Sequence, residues 1–322
     1  MLRFLASRLI QGLGVLLAMS VVVHALMGLM PGDPVDLMIA ANPELTPADA
    51  TRLRALHGLD QPIWERWANW LAAALSGDLG YSRLFARPVP EVLLPRLANT
   101  LLLLVPAFVI SAAAALVLGV RAAMRPNGPA DAGIGLLCFA GISIPSFWLA
   151  LMLIMLFSVG LGWLPAGGMG PPGGDGSFAA RLPYLALPLA CLVVVSVGGY
   201  TRYVRAGMIE QLRQDYVRTA QAKGASRRRT VWRHALRNAL VPVVTILGLE
   251  FGSLVSGALV VETMFAWQGM GKLIYDSVMG NDYNVALVAL LLATAVTLAG
   301  NLLADIGYVA LDPRVTLGTV RT

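Results

Sequence analysis

Ionisable residues are scarce in this chain, and the few that interrupt its apolar runs are where chemistry could occur. Glu250 falls near the middle of the run Ala239 to Val261, and Ser253 and Ser256 follow on nearby faces. A carboxylate inside an apolar span is costly, so it should face a polar cavity or a partner. Two readings stay open for it. It lines a translocation path, together with Ser253 and with Ser146 of the stretch Ile142 to Trp148, or it makes a structural hydrogen bond to another helix. Thr297, Asn301 and Asp305 recur every four residues on one face, which favours packing or subunit contact over substrate contact. His24 reads as a satisfied polar residue facing a neighbouring helix rather than a proton relay, and His57 and His234 have no ligand spacing with it. Cys138 and Cys191 sit inside apolar runs as packing residues, not as a disulfide or metal pair. Gly269-Met270-Gly271-Lys272 imitates a phosphate-binding loop, but Leu273 follows the lysine and no glycine lies five residues before Gly271. Paired carboxylates, a His/Cys cluster and a nucleophile elbow are all missing. The expectation is therefore no catalytic residue, no cofactor and no metal in this chain, with energy for uphill transport supplied from outside it.

Charge collects in one place. The window Tyr200 to Asn238 holds ten Lys/Arg against two acids, Glu210 and Asp215. Its centre, Arg218-Thr219-Ala220-x-x-x-Gly224, consists of helix-compatible pieces joined at a glycine that permits positive φ. Beyond it, Val231 and Ala235, with Trp232, Leu236 and Leu240, recur at helical spacing. A short helix, a turn at Gly224 and a second amphipathic helix are expected. A topology-fixing basic loop would need only the charge; the order of small residues, glycine, arginines and amphipathic helix points to a docking element.

The elements that position these residues are apolar spans. Of 322 residues, 57% are hydrophobic and 13% charged, against about 25% charged in a soluble domain. With a mean hydropathy of +0.71 this describes a polytopic membrane protein. The net charge of +6 comes from the one basic loop and signals no nucleic-acid partner. After a short N-terminus, residues 1–8, the first span covers 9–30, enough for roughly 30 Å of hydrocarbon. Residues 31–99 form the sizeable soluble segment, expected as a small external cap; its Trp64, Trp67 and Trp70 share one helical stripe, as in an interfacial helix. The remainder, 100–322, holds five more spans: Leu101 to Val120, about Gly133 to Gly160 with a kink at Pro145, Leu182 to Gly199, Ala239 to Val261 and Val285 to Tyr308. Glu262 to Asn284 reads as a loop, and the basic loop is 200–238. With the N-terminus inside, the inner segments carry two, two, ten and two Lys/Arg and the short outer loops one each, Arg181 and Lys272. Both termini and the basic loop are thus expected to be cytoplasmic.

Several blocks occur in a characteristic order: Arg8-Leu9, Met30-Pro31-Gly32-Asp33-Pro34, Gly58-Leu59-Asp60-Gln61-Pro62, Gly77-Asp78-Leu79-Gly80, Ser143 to Trp148, Gly162-Trp163-Leu164-Pro165, Asp215 to Pro242 and Gly257 to Thr263. In these the chain resembles the permease subunit of ABC importers of the dipeptide/oligopeptide/nickel group, over nearly its whole length. The resemblance implies an all-α membrane protein with six transmembrane helices, a type I importer-like permease in the bacterial inner membrane. It implies partners: a second homologous permease chain, two ATP-binding subunits that hydrolyse ATP, and a substrate-binding protein that delivers short peptides, with membrane lipid around the spans.

The family's EAA motif, a coupling helix that docks on the ATPase, falls on Arg218-Thr219-Ala220 with Gly224 as the motif glycine. Asp215, Tyr216, Arg218, Thr219, Ala220, Lys223, Gly224 and Arg227 are the implied ATPase-coupling residues. The motif's acid is absent, the later step reads His234-Ala235-Leu236-Arg237, and Gln268 stands where proline is often found. Within the class, nickel-chelate or glutathione import is the rival. An ion-coupled secondary transporter would need inverted repeats, which the sequence does not display.

Overall fold

The computed structural model describes residues 2–29, 35, 46–56, 60–174, 176–240, 243 and 258–311. Helix α1 (Leu2–Gly28) is followed by α2 (Pro47–Leu56), α3 (Ile63–Leu75) and a minimal antiparallel hairpin of β1 (Tyr81–Ser82) and β2 (Arg87–Pro88). Then come α4 (Val89–Ala123), α5 (Pro129–Ser143) and α6 (Ser146–Leu153), the last continuing as a π-helix over Ile154–Gly160. Helix α7 (Phe178–Leu212) leads into α8 (Asp215–Ala222) and α9 (Arg227–Arg229), which widens to a π-helical turn over Thr230–Ala235. Helices α10 (Leu259–Met264), α11 (Met270–Met279) and α12 (Tyr283–Leu311) complete the described chain.

The spine is α4 packed along α7, the most extensive helix pair. Each has 35 residues. At helical rise that is about 52 Å, roughly 20 Å more than a hydrocarbon core. Both therefore project beyond any bilayer they cross, and the projecting end of α7 carries Arg202 and Arg205, with Arg213 as its C-cap. Leu103, Leu104 and Ala107 of α4 meet Leu185, Leu187, Cys191 and Leu192 of α7, together with Phe265 and Trp267, in the largest core cluster. Cys138 and Cys191 are both buried and unbonded to each other, as packing residues are.

Four helical stretches are long and apolar enough to cross a membrane: Phe4–Gly28, Val89–Ala123, Phe178–Leu212 and Tyr283–Leu303. The pair α5 and α6 qualifies as a fifth, but bends by 101° between its halves. A simple proline kink, as expected for this span, is too mild a description. Ile144 precedes Pro145 and is pushed into the extended region, at φ −80° and ψ 123°, so the chain leaves the helix altogether before Ser146 restarts it. The remaining expected span, Ala239 to Val261, lies mainly outside the described residues, and Glu250 and Ser253 with it. Only 11% of the apolar window in α1 is buried within the chain, so most of its side chains face lipid or another subunit.

The segment before α4 is tied to the spans by specific bonds. Trp67 Nε1 donates to Ser20 Oγ of α1 at 3.0 Å, Trp70 packs against the cores beside α12, and Trp64 stands exposed. The hairpin is anchored by Asp282, just before α12. That buried carboxylate accepts Ser82 Oγ at 2.5 Å and Leu84 N at 3.0 Å. At the far end of α12, Arg8 and Asp305 form a 2.7 Å ion pair that joins α1 to α12. His24 Nε2, expected to be satisfied, has no hydrogen-bond partner among the described residues.

Candidate functional site

The basic stretch folds as two helical pieces joined at a left-handed glycine. Helix α8 ends by a Schellman motif: Gly224 N donates to Gln221 O at 2.9 Å and Ala225 N to Ala220 O at 3.1 Å. Gly224 has φ +83°, a conformation that costs other residues energy. The spacing Ala220-x-x-x-Gly224 is thus the spacing of a helix-terminating motif, with Ala220 supplying the accepting carbonyl. Ser226 then caps α9, its Oγ accepting Arg229 N at 3.3 Å.

One side chain seats α8. Val217 is its only buried residue, 1% exposed, and it packs with Val120 and Ala123 of α4, Val204 and Met208 of α7, and Val231 and Ala235 of the following turn. Burying a valine stabilises by roughly 2 kcal/mol. Tyr216 supports the seat from outside, its hydroxyl donating to Gln211 Oε1 at 2.8 Å with His234 O at 3.5 Å. Thr219 Oγ1 turns back to Asp215 O at 2.9 Å. Asp215 and Arg218 lie in the open, 3.6 Å apart, in an exposed pairing of little energetic weight. Lys223, Arg228 and Arg229 are exposed as well. Of the eight residues expected to act together, seven are exposed and Ala220 is half-buried. Arg227 also bridges the seat, donating from Nη2 to Met124 O, 3.2 Å away at the end of α4. Trp232 brings a correction. The helical turn widens over Thr230–Ala235, so Val231, Ala235 and Leu236 are buried while Trp232 is half exposed.

Beside this seat, Asp131 of α5 accepts Arg205 of α7 at two points, Nε at 2.5 Å and Nη2 at 2.6 Å, and Asn127 N at 2.8 Å. Neither acid nor arginine stands out in sequence, because the two lie 74 residues apart. Ser146 sits at the restart after the bend, where its carbonyl accepts Cys191 Sγ at 3.5 Å.

A second polar cluster lies around Thr100, about 36 Å along α4 from Met124. Glu262 is fully buried. Its carboxylate accepts Thr100 Oγ1 at 2.7 Å and Lys272 N at 3.0 Å, with Gly271 N as a further donor. Thr100 Oγ1 in turn accepts Met270 N at 2.7 Å. A carboxylate thereby caps the N-terminus of α11. Burial pushes the Glu262 carboxyl above its ordinary range, opposed by the bonds from Thr100, Lys272 and Gly271 and by the Arg96 guanidinium. Trp267 Nε1 donates to Asn99 O at 2.9 Å, and Asn99 Nδ2 to Gln268 O at 2.8 Å, holding the turn between α10 and α11 on α4. The expectation of a loop over Glu262 to Asn284 is corrected here. Met270, Leu273 and Ser277 are buried at helical spacing along α11, a pattern the sequence carried.

Comparison with known proteins follows this geometry. Residues 115–317 match the family of the binding-protein-dependent transport system inner membrane component, and residues 1–104 match that family's N-terminal membrane component. The chain is 38% identical to the oligopeptide transport system permease protein AppB of Bacillus subtilis, over 98% of this chain and 99% of the relative. It is 36% identical to the di/tripeptide transport system permease protein DppB of Pseudomonas aeruginosa, with the same coverage. A solved amino acid ABC transporter chain superposes with a TM-score of 0.52 at 15% identity, covering 70% of this chain and 95% of that one, a likeness of fold alone. The helical fold is like that of the solved ABC transporter chain, and the described residues supply four helices long and apolar enough to cross a membrane and one bent pair. The chain belongs to the binding-protein-dependent transport system inner membrane component family and is a multi-pass inner-membrane protein.

Proposed function

We propose that the chain is the membrane-spanning permease subunit of an ATP-driven importer of short peptides. A binding protein delivers the peptide, a second homologous permease chain completes the pathway, and two ATP-binding subunits dock beneath and hydrolyse ATP. The names of the two relatives, each aligned over nearly its full length, support peptides as cargo. One observation carries the coupling role: α8 is seated on α4 and α7 through Val217, while Asp215, Arg218, Thr219 and Lys223 are left exposed. A short helix held in this way converts closure of an ATP-binding dimer into a rigid push on α4 and α7. In this orientation the basic loop and both termini are cytoplasmic, residues 31–99 face outward, and Glu250, Ser253 and Ser146 line the path.

The test is peptide uptake by the complete complex reconstituted in vesicles, comparing the unsubstituted chain with Gly224→Pro. Proline cannot adopt φ +83°. Uptake is expected to require ATP and to collapse in the variant while the subunits still assemble. Uptake that ignores ATP and follows an ion gradient would sink the proposal.

A further inference from the structure

We propose that the Asp131–Arg205 pair is the clamp that makes the bent span α5–α6 move with the coupling turn, so that both are positioning residues for transport. The inference rests on the permease reading above. Three observations place the pair in that role.

The first is its geometry. Two parallel bonds, at 2.5 and 2.6 Å, fix orientation as well as distance between the start of α5 and α7. Asp131 is 6% exposed and also holds the α4–α5 turn through Asn127 N, so its carboxylate has little freedom to change partners.

The second is its address. Arg205 follows Val204 and lies one turn before Met208, and both of those neighbours pack on Val217 and Val231. One turn of α7 thus receives the coupling helix on one face and holds α5 on another. Arg227 adds a bond from the same loop to the end of α4, next to the turn that Asp131 braces.

The third is what α5 carries. Higher along the pair the backbones touch: a Cβ on Gly198 would come within 2.5 Å of Cys138 O. Beyond the 101° bend, Ala150 of α6 packs in one cluster with Val261, Phe265 and Trp267, the residues beside buried Glu262. A displacement entering at Val217 thereby has a packed route through α7 and α5 to the cluster beside Glu262. The ion pair is a polar tie between α7 and α5 in that route. A mere staple would hold the helices together equally in every state; a clamp in the transmission sets how much motion of the coupling turn reaches the bent span.

The experiment measures peptide moved per ATP hydrolysed in the reconstituted complex, with assembly quantified in parallel. Asp131→Asn is expected to leave the complex assembled and hydrolysing ATP while the ratio falls roughly 2- to 30-fold, the range of residues that tune coupling. The double variant Asp131→Leu with Arg205→Leu leaves no unpaired charge and carries the test if the single variant fails to assemble; its ratio is expected to fall likewise. The charge exchange, Asp131→Arg with Arg205→Asp, is expected to recover part of the loss. An unchanged ratio in the assembled double variant overturns the proposal. So does a parallel fall of uptake and hydrolysis in proportion to assembled protein, which leaves a structural staple only. Absence of ATP-dependent uptake with the unsubstituted chain would instead strike the permease reading itself.

Discussion

Replacing Val217 by alanine should loosen the coupling helix without unfolding the subunit. Val217 is the one side chain through which α8 enters the core, and it is 1% exposed. Alanine removes two buried methyl-sized groups, worth about 1.6 kcal/mol in transfer free energy at about 0.8 each. Incomplete collapse of the gap adds to this, giving about 1.6–3 kcal/mol in all. The loss falls on a local opening, because α8 is held otherwise by the Tyr216 hydroxyl and its flanking turns. At about 1.4 kcal/mol per tenfold, amide hydrogen exchange across Asp215–Ala222 should accelerate by roughly 10- to 150-fold. Exchange in the middle of α4 should stay unchanged. The measurement is hydrogen exchange with mass spectrometry on the detergent-solubilised subunit, with Arg218→Ala as the control at an exposed position. Unchanged protection of Asp215–Ala222 in Val217→Ala would refute the one-residue seat, as would an equal effect from Arg218→Ala.

Two further outcomes are expected. Glu262→Ala leaves the Thr100 hydroxyl and the N–H groups of Gly271 and Lys272 without their acceptor, at a cost of about 3 kcal/mol or more; the thermal unfolding midpoint should fall clearly, and by less in Glu262→Gln, which keeps one accepting oxygen. Trp67→Phe removes the bond to Ser20 but keeps an aromatic ring, so the midpoint should drop by the equivalent of about 1 kcal/mol, while Trp64→Phe, at an exposed site, should leave it unchanged.

Four spans and the bent pair, all among the described residues, were legible because a membrane demands long apolar runs whose backbone is satisfied internally, and such runs dominate the composition. The turn at Gly224 was legible for a local reason: glycine after a helix-compatible segment is the commonest left-handed stop. Asp131 and Arg205 were not legible, since an ion pair across 74 residues depends on how α5 and α7 pack. Glu262 illustrates the same limit. In sequence it closes an apolar run; only the fold of α11 back onto α4 brings Thr100 and two backbone donors to its carboxylate. The spacing of Met270, Leu273 and Ser277 could have revealed α11, but it was obscured by the glycines at 269 and 271. Trp232 misled because a π-helical turn shifts the face that a 3.6-residue period assigns.

The central claim is that the exposed face of α8 meets an ATP-hydrolysing partner. Its most direct test is site-specific cross-linking from a cysteine at position 219 in the assembled transporter. Thr219 is exposed, whereas the native Cys138 and Cys191 are buried and should stay silent. A cross-link from Thr219→Cys to the ATP-binding subunit is predicted, with none from Trp64→Cys in the segment before α4. Cross-linking of Trp64→Cys to that subunit, with Thr219→Cys unreactive toward it, would contradict the account.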